Sequence, residues 1–534
     1  MATATLQKTF GAFYTDERVA HSIVKWAIRR PGDLVLDPSC GEGVFLASAT
    51  EQLRSMGSRK PQVWGIDLDH GAIQTTSARV SGPKLIHTDF FSVEPGSIPF
   101  FNAVIGNPPF IRYQTFNGEK RSSALARARE AGVNIGQLSS SWAPFLVHAT
   151  SFLMKGGRLG MVVPVELGHA QYAREVLQFL LRKFGRIQVR TFRKKLFPDL
   201  SEDTNLLFCE DFGTPCSWFS VVILKSIDEE DSEKLIEQPV DIEALRNGKV
   251  RLNRYLLGPK VRHLYEDLSQ QPGVARLGTA ADVGIGYVTG CNDFFHLSLQ
   301  ECRHWRIPAG YLRPAVLSLA EIEGVVLRKM DWTKLARRGK KCYLLAIPPV
   351  VEDKLPQCLQ AYLREGETLG VPGRFKCRVR EPWFSVPHVR VADAFLSYMS
   401  GEGPRLVSNR ADLVAPNTLH LLRTDKGWKP EVLIGGWHSS LTKLSCEIEG
   451  HALGGGLLKL EPSEAENVLI ALPYPSEAPG LVQELDKLIR ERDRQAANEL
   501  ADRRVLRRRL GLSATECLLL REASEDMQEW RMHR

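Results

Sequence analysis

Residues 34–56 read LVLDPSCGEGVFLASATEQLRSM, an apolar run that ends in an aspartate and is followed by a glycine loop and a segment of helical period. Similar apolar runs recur along the chain: QVWGID (62–67), KLIH (84–87), NAVIGN (102–107) and RLGMVVP (158–164). Short buried strands that alternate with helices are typical of a parallel sheet covered on both faces. We therefore predict a doubly wound, mostly parallel α/β sheet, with helices over 16–30, 44–56 and 141–155.

The length of the chain indicates more than one domain. With 534 residues it is several times larger than a single small core. We predict a catalytic domain over 1–228, a second domain over 240–475 and a charged helical segment over 476–534. The acidic stretch DEEDSEKLIEQP (228–239) is the candidate linker. Short apolar runs among many Gly and Pro turns favour an irregular α+β architecture for the second domain.

Composition excludes several classes of protein. Fractions of 43% hydrophobic and 25% charged residues are ordinary for globular chains and argue against disordered or fibrous proteins. No run approaches a membrane span and the start lacks a signal-peptide layout, so we expect a cytoplasmic protein without a membrane partner. The ten cysteines include no C-x-x-C pair, so we expect no metal site and no disulfide framework. The net charge of +8 is compatible with a nucleic-acid partner but does not require one.

Carboxylates stand at the ends of three successive predicted strands, at Asp37, Asp67 and Asp89. Open parallel sheets bind ligands at this edge. The loop after Asp37 lacks the G-x-G-x-x-G fingerprint of dinucleotide sites, and an acidic cleft disfavours a pyrophosphate. S-adenosylmethionine fits better, because it is cationic and its ammonium, hydroxyl and amino groups can donate to carboxylates. The alternative is that these aspartates are only turn formers.

The tetrapeptide Asn107-Pro108-Pro109-Phe110 at the fourth strand end is the most specific motif. An exocyclic base amine is a weak nucleophile because its lone pair is delocalised into the ring. Acceptors that bind both amino hydrogens free that lone pair, and the Asn107 side-chain oxygen and the Pro108 carbonyl can serve as such acceptors. Phe110 can stack on the base, which is worth about 1–3 kcal/mol. The alternative is an ordinary Asn-Pro turn beside a core phenylalanine.

The order of these motifs resembles that of the amino-group DNA adenine methyltransferases of the gamma arrangement, the TaqI-type modification enzymes. The matching motifs are F-Y-T (13–15), D-P-S-C-G-E-G-V-F (37–45), G-I-D-L-D (65–69), T-D-F-F (88–91), N-P-P-F (107–110) and L-F-P (196–198). The resemblance implies the class I S-adenosylmethionine-dependent methyltransferase fold. One departure is that Thr15-Asp16 stands where the family usually has Thr-Pro.

The resemblance also implies a role for individual residues. Phe13, Tyr14 and Thr15 help to hold the methionine moiety, and Phe197 packs against the extruded base. The implied cofactor-binding set is Phe13, Tyr14, Thr15, Asp37, Ser39, Cys40, Gly41, Gly43, Asp67 for the ribose, Leu68, and Asp89 with Phe90 for the adenine. The implied catalytic set is Asn107, Pro108, Phe110 and Phe197.

The second half resembles the target-recognition domains of the same enzymes. The segments DVGIGYVTGCNDFF (282–295), YLRPAV (311–316), PNTLHLL (416–422) and GGGLLKLEPSEAENVLIALP (454–473) recur there in this order. Their glycine turns and strand ends indicate structural roles, so we assign no base contact to them. Elsewhere, residues 116–141 and 182–195 are candidates for phosphate contacts, and an ordinary solvated loop or helix end is the equally weighted alternative.

Together these patterns predict a site-specific methyltransferase that acts on double-stranded DNA and methylates the N6 amine of a flipped-out adenine. We expect a monomer that serves as the modification component of a restriction-modification system, with a separate cognate endonuclease as a possible partner. Two alternatives stay open. One is a methyltransferase of the same Asn-Pro-Pro-aromatic type that acts on RNA or a protein glutamine, and the other is a catalytically idle DNA-specificity subunit.

Overall fold

The structure, a computed structural model, describes residues 15–112, 115–136, 139–168, 170–197, 203–229, 235–248, 251–424, 427–453 and 455–533. The chain divides into two compact units. The first unit ends at Leu257, and the second spans Gly258–Met532.

Among the described residues, nine strands form one sheet in the first unit. They are β1 (Leu34–Asp37), β2 (Gln62–Asp67), β3 (Lys84–His87), β4 (Phe101–Gly106), β5 (Leu153–Pro164), β6 (Phe184–Phe192), β7 (Thr204–Phe212), β8 (Trp218–Leu224) and β9 (Glu237–Pro239). Their order is β3-β2-β1-β4-β5-β7-β6-β8-β9. Neighbours from β3 to β5 are parallel, whereas β7 is antiparallel to both β5 and β6. The predicted mostly parallel α/β sheet is confirmed.

The helices of the first unit follow the predicted alternation with one exception. They are α1 (Glu17–Ala27), α2 (Val44–Ser55), α3 (His70–Arg79), α4 (Gly118–Glu130), α5 (Trp142–Thr150), α6 (Gln171–Lys183) and α7 (Ile242–Arg246). The prediction of one helix over 141–155 is wrong beyond Thr150. Leu153 begins β5 opposite Phe101 of β4, and the Phe101 N–H donates to the Phe152 carbonyl at 2.8 Å. A short apolar run fits a buried strand as well as a helix, so pairing with β4 decides the conformation.

The departure from the family at position 16 has a local explanation. The Asp16 side chain caps α1 by accepting a hydrogen bond from the Arg18 backbone N–H at 2.8 Å. A carboxylate at a helix start is also favoured by the helix dipole. Aspartate therefore starts α1 by side-chain capping, where proline would start it by its fixed backbone angle.

The basic segment 182–195 lies mostly within the sheet. Residues 184–192 form β6, in which Arg190 is buried with its guanidinium 4.1 Å from the Phe208 ring centre. Arg186 forms an ion pair with Glu237 at 3.2 Å. Glu237 belongs to β9, which comes from the stretch 228–239 that we expected to be a linker. The contacts of these two arginines therefore favour a structural role for this part of the segment.

The second unit has an α+β architecture, as predicted. Its strands are β10 (Val274–Arg276), β11 (Ala281–Ile285), β12 (His296–Leu297), β13 (Leu312–Pro314), β14 (Val326–Leu327), β15 (Tyr343–Leu345), β16 (Ala394–Ser397), β17 (Met399–Ser400), β18 (Leu406–Asn409), β19 (Leu419–Thr424), β20 (His451–Leu453), β21 (Leu457–Lys459) and β22 (Leu469–Ala471). They form several small sheets, and the largest has the order β11-β19-β16-β18-β14.

Helices surround these sheets and continue to the end of the second unit. They are α8 (Pro259–Gln270), α9 (Leu277–Ala280), α10 (Asn292–Phe295), α11 (Leu299–His304), α12 (Lys329–Arg337), α13 (Gln357–Thr368), α14 (Phe375–Arg378), α15 (Pro430–Trp437), α16 (Ser440–Glu449), α17 (Pro462–Asn467), α18 (Ala478–Arg490), α19 (Arg494–Ala501) and α20 (Ala514–Met532), with a π-helix over Asp502–Arg507. In the part of the chain that the structure describes, no helix combines the length and apolarity needed to cross a membrane.

A buried carboxylate ties α18 to β14. Asp486 is 5% exposed by side chain and accepts from the Val325 and Val326 N–H groups at 2.9 and 3.0 Å. It also accepts from Arg328 at 2.7 Å and from Arg490 at 2.9 Å. The charged helix α18 is thus fixed to the β-structure of the second unit by a buried carboxylate that two partly exposed arginines pair with.

We expect Asp486→Ala to destabilise the second unit strongly, because it leaves two backbone N–H groups and two guanidinium groups without their buried acceptor. A buried donor that loses its acceptor costs about 1–3 kcal/mol, and Arg490 keeps its pair with Asp331. Glu484→Ala is the control, because Glu484 lies on the same helix but forms an exposed pair with Arg504, worth less than about 1 kcal/mol. Urea unfolding followed by circular dichroism measures both changes, and equal midpoints for the two variants would contradict this expectation.

Candidate active site

A cavity of about 430 Å³ opens at the carboxyl ends of β1, β2, β3 and β4. The order of the sheet reverses direction between β1 and β4, where ligands of open α/β sheets bind. The main part of its wall is formed by the loops that follow the four strands: Pro38–Glu42, Asp67–Asp69, Thr88–Phe91, and Asn107 with Pro109 and Ile111. The strand-end residues that the sequence singles out are therefore brought together at one cavity.

Asp37 lies beneath this wall and is completely buried. Its Oδ1 accepts from the Ser39 N–H at 3.1 Å, and its Oδ2 has no hydrogen-bond partner among the described residues. Burial, reinforced by the charge of Asp67, raises the pKa of Asp37 to about 8. Gly106 lies so close that a Cβ would be 2.7 Å from Oδ1, and its φ of +154° also favours glycine. The end of β1 therefore encloses the Asp37 carboxyl group, which is protonated more readily than an exposed aspartate.

The glycine loop is held in shape from two sides. The Gly41 N–H donates to Asp67 Oδ2 at 2.8 Å, and the Thr76 hydroxyl donates to the Gly41 carbonyl at 2.7 Å. Gly43 has a φ of +81°, and a Cβ there would be 2.8 Å from Thr76 Cγ2. Cys40 is buried in this loop, where burial and the nearby carboxylates raise the pKa of its thiol. The thiol is therefore neutral, and the loop serves as a close-fitting wall.

The turn after β2 presents both a carboxylate and an apolar side chain. Asp67 Oδ1 accepts from the Asp69 N–H at 2.8 Å, while its Oδ2 holds Gly41. Burial raises the pKa of Asp67. Leu68 is 42% exposed and lines the cavity beside it. An acceptor next to an exposed apolar surface suits a ribose with an attached base.

The turn after β3 adds a second acceptor and an aromatic ring. Asp89 accepts from the Phe91 N–H at 3.0 Å. The Phe90 ring packs against Phe145 and His148, with ring centres 4.9 and 4.6 Å apart. Burial lowers the pKa of His148 to about 4, so its ring is neutral. Phe90 is thus held in an apolar cluster while it lines the cavity.

Asn107 presents an unpaired acceptor. Its Nδ2 donates to Thr15 Oγ1 at 3.3 Å, and the Ser39 hydroxyl donates to the Asn107 carbonyl at 3.2 Å. Its Oδ1 is buried and has no partner among the described residues, although Asn107 lines the cavity. A buried unpaired acceptor is costly, and a donor from a ligand would relieve that cost.

Ser141 fixes the backbone that follows Asn107, and sequence reasoning missed it. Its hydroxyl donates to the Pro109 carbonyl and accepts from the Ile111 N–H at 2.8 Å, and its own N–H donates to the Ile111 carbonyl at 3.0 Å. Ser141 precedes α5 and also lines the cavity. No local pattern could have found this residue, because it is brought to the loop from about thirty positions away.

Some of the predicted residues do not line the cavity. These are Asp37, Gly43, Pro108, Phe110 and Phe197. Phe110 and Phe197 are each 7% exposed and belong to the hydrophobic core of the first unit. In this structure the ring of Phe110 is therefore largely covered. Phe13 and Tyr14 lie outside the described residues.

The cavity has a further wall that the sequence analysis did not assign. It is formed by Phe45 and Phe145 together with Thr115, Phe116, Asn117 and Lys120. Phe116, Asn117 and Lys120 belong to the polar segment 116–141, which we had proposed only for phosphate contacts. Among the residues described, no cluster of three or more His, Cys, Asp or Glu side chains could hold a metal ion.

This sheet order and this strand-end cavity define the class I S-adenosylmethionine-dependent methyltransferase fold. Residues 1–167 match the model of the N-6 DNA methylase family. Residues 249–506 match the C-terminal domain of the type II methyltransferase M.Eco57I. The resemblance drawn from the motifs is confirmed.

Individual relatives are distant but extend over much of the chain. Type II methyltransferase M.AccI of Acinetobacter calcoaceticus is 20% identical over 479 residues, which cover 86% of this chain and 84% of that protein. Type II methyltransferase M.HindII of Haemophilus influenzae is 22% identical over 309 residues, which cover 54% of this chain and 56% of that protein. The type IIL restriction-modification enzyme MmeI, solved in complex with DNA, has a TM-score of 0.56 at 12% identity, covering 96% of this chain and 75% of that one. At 12% identity, the similarity to MmeI supports only the fold of this chain.

We expect the stability of the ligand-free protein to decrease from about pH 4 to about pH 8 through Asp37. An unfolded aspartate has a pKa of about 3.9. In this range the folded state holds a proton that the unfolded chain releases, so rising pH favours unfolding, and no further loss occurs above about pH 8. Asp37→Asn should flatten this part of the profile in urea titrations at pH 5, 6, 7 and 8.

Asp69→Asn is the matched control for this titration. Asp69 caps α3 through its side-chain oxygen, and asparagine can keep that hydrogen bond. This variant should retain the dependence of the wild type. A wild-type profile that is no steeper than that of Asp37→Asn would contradict the burial argument.

Proposed function

We propose that this chain is a site-specific DNA methyltransferase that transfers a methyl group from S-adenosylmethionine to the N6 amine of a flipped-out adenine. The match of residues 1–167 to the N-6 DNA methylase model supports adenine-specific DNA methylation of the restriction-modification type. The observation that carries the finer proposal is the unpaired Oδ1 of Asn107 at a cavity ringed by carboxylates. We further propose a catalytic domain over 1–228, a recognition domain over 240–475 and a helical segment over 476–534.

The donors of S-adenosylmethionine fit the acceptors at this cavity. Asp67 and Asp89 line it and can accept from ribose hydroxyl and adenine amino groups. Asp37, beneath the glycine loop, has an unpaired oxygen and gains negative charge when a cation approaches. Bound in this way, the cofactor supplies an electrophilic methyl group. Leu68 and Phe90 line the same cavity and would provide apolar surface for the adenine.

Asn107 acts on the amine that receives the methyl group. Its Nδ2 donates to Thr15 Oγ1, so in this arrangement Oδ1 is the atom left for a substrate N–H. The Pro108 carbonyl is the second acceptor that we propose for the same amine. With both hydrogens bound, the nitrogen lone pair is localised and can attack. A general base is not needed before attack, since the product ammonium loses its proton afterwards.

A DNA substrate is favoured over RNA or a protein glutamine by the second half of the chain. Residues 249–506 match the C-terminal domain of a type II DNA methyltransferase, and a compact RNA or protein methyltransferase would not need that domain. A catalytically idle subunit is disfavoured because a buried acceptor without a function would carry a cost. We propose a monomeric cytoplasmic modification enzyme that protects DNA from a separate cognate endonuclease.

We expect Asn107→Ala to lower the rate of methylation by about 100-fold or more, while S-adenosylmethionine still binds. The acceptor for the amine is lost, but the cofactor contacts at Asp67 and Asp89 remain. Phe110→Ala should also lose methylation, but part of that loss would come from destabilisation, because Phe110 is largely covered in the core of the first unit. Incorporation of labelled methyl groups into DNA from a methylation-free host measures activity, and isothermal titration calorimetry measures cofactor affinity.

The outcome that contradicts the mechanism is full activity in Asn107→Ala. An absence of cofactor binding in the wild type would instead favour the idle subunit. Mapping of modified bases in the genome of an expressing host then tests the substrate, because a sequence-specific methyladenine signal supports adenine and DNA together.

Ser141→Ala should lower the turnover number of methylation by about 10- to 100-fold, because the loop after Asn107 loses the hydroxyl that joins the Pro109 carbonyl to the Ile111 N–H. Cofactor affinity should stay within a factor of about three, and Ser141→Thr should restore much of the activity. The matched control is Ser139→Ala, because the buried Ser139 hydroxyl has no partner among the described residues. Equal turnover numbers for the two alanine variants would contradict this role.

A further inference from the structure

The segment Arg374–Arg380 of the second unit reads RFKCRVR and is called here the basic segment. It contains α14 (Phe375–Arg378) and four cationic residues in seven positions. No acidic residue occurs between Thr368 and Glu381 in the sequence. The charge of this stretch is therefore not balanced by its own neighbours along the chain.

The basic segment is anchored from within by the loop Val288–Cys291. Cys377 is fully buried, and its thiol lies 3.5 Å from the Thr289 carbonyl. The Arg380 guanidinium donates to the Thr289 carbonyl at 2.9 Å and also to the Val288 carbonyl. Gly290 lies against the helix so closely that a Cβ would be 2.9 Å from Lys376 Cβ. These contacts give a structural role to the motif DVGIGYVTGCNDFF and hold the basic segment firmly.

The remaining side chains of the basic segment face solvent. Phe375 is 63% exposed and Val379 is 64% exposed, and Arg374, Lys376 and Arg378 are exposed beside them. The Lys376 ammonium and the Arg378 guanidinium lie 5.4 and 5.6 Å from the centre of the Phe375 ring. The result is an exposed aromatic ring with two cations close to it, presented by an anchored backbone.

These cations differ from many others in the second unit. Arg504 is paired with Glu484 at 3.1 Å, and Lys340 is paired with Glu321 at 2.5 Å. By contrast, Arg374, Lys376 and Arg378 form no ion pair with a carboxylate of the described residues. An exposed group of unpaired cations is complementary to a polyanion.

We propose that the basic segment is a contact surface for duplex DNA, in which Arg374, Lys376 and Arg378 bind backbone phosphates and Phe375 packs against the sugar-phosphate chain. This inference rests on the proposed function and identifies a part of the second unit that would contact the substrate. An anionic membrane is a poorer fit, because α14 has four residues and its Cys377 side chain is buried, so a broad apolar helix face is absent from this segment.

The test compares two triple variants of the full chain that lose the same charge. One is Arg374→Gln/Lys376→Gln/Arg378→Gln. The control is Lys260→Gln/Lys329→Gln/Lys354→Gln, which removes three exposed lysines elsewhere in the second unit. Fluorescence anisotropy with a labelled duplex of about 30 base pairs is measured from 50 to 300 mM KCl. Each phosphate contact contributes about 0.9 to the slope of log K against log salt, so the first variant should lose up to about 2.7 and the control much less.

A single variant tests the aromatic residue separately. Phe375→Ala should weaken binding to the same duplex and leave the salt slope unchanged, because no charge is removed. The thermal unfolding midpoints of all variants should equal that of the wild type, since the anchoring residues Cys377 and Arg380 are untouched. An unchanged affinity in Phe375→Ala would overturn the role of the ring.

The outcomes separate this inference from the proposed function. If the wild type binds and methylates DNA but the two triple variants have equal salt slopes, the basic segment is not the contact surface and the proposed function stands. If the wild type neither binds the duplex nor methylates DNA, both proposals fail. Vesicles of phosphatidylserine and phosphatidylcholine are the second probe, and selective loss of vesicle binding in the first triple variant, with DNA binding intact, would overturn the inference in favour of a membrane.

Discussion

The burial of the Asp37 carboxyl group is the constraint on which the site depends. This group ends β1 at the point where the order of the sheet reverses, and it is held by the Ser39 N–H while Gly106 closes over it without a side chain. Burial raises the pKa of the Asp37 carboxyl group to about 8, so its protonation state depends on the charge of a ligand that binds in the cavity. The glycine loop and the start of the Asn107 motif are both positioned by this one packing arrangement.

The site that we propose for the substrate amine is preorganised by its neighbours. Thr15 accepts from the Asn107 amide, and Ser141 fixes the turn that follows it. The free energy cost of the unpaired Oδ1 is carried by a fold whose first unit has an extensive buried core. Preorganisation of this kind means that an incoming amine meets an acceptor that does not have to reorient.

The glycine-containing motif of the second unit, DVGIGYVTGCNDFF (282–295), supports a neighbouring segment and does not line the cavity. The loop Val288–Cys291 offers backbone carbonyls to Arg380 and a close-fitting glycine to α14, so its sequence pattern reflects packing. The exposed residues that it supports have no distinctive spacing of their own. The motif can therefore be an anchor, while the residues that it supports form the contact surface that we propose.

The sequence by itself determined the strands that end in Asp37 and Asp67, the turn with Asp89 after the third strand, and the residue types of the proposed cofactor and amino-group sites, because strand and helix periodicity and turn chemistry are local properties of the backbone. Only the tertiary structure decided that Leu153 begins a strand, that Asp37 lies beneath the cavity wall, and that Phe110 is largely covered. It alone also brought Ser141 to the loop after Asn107. The physical reason is that burial and hydrogen bonds between distant segments depend on packing, which local periodicity does not specify.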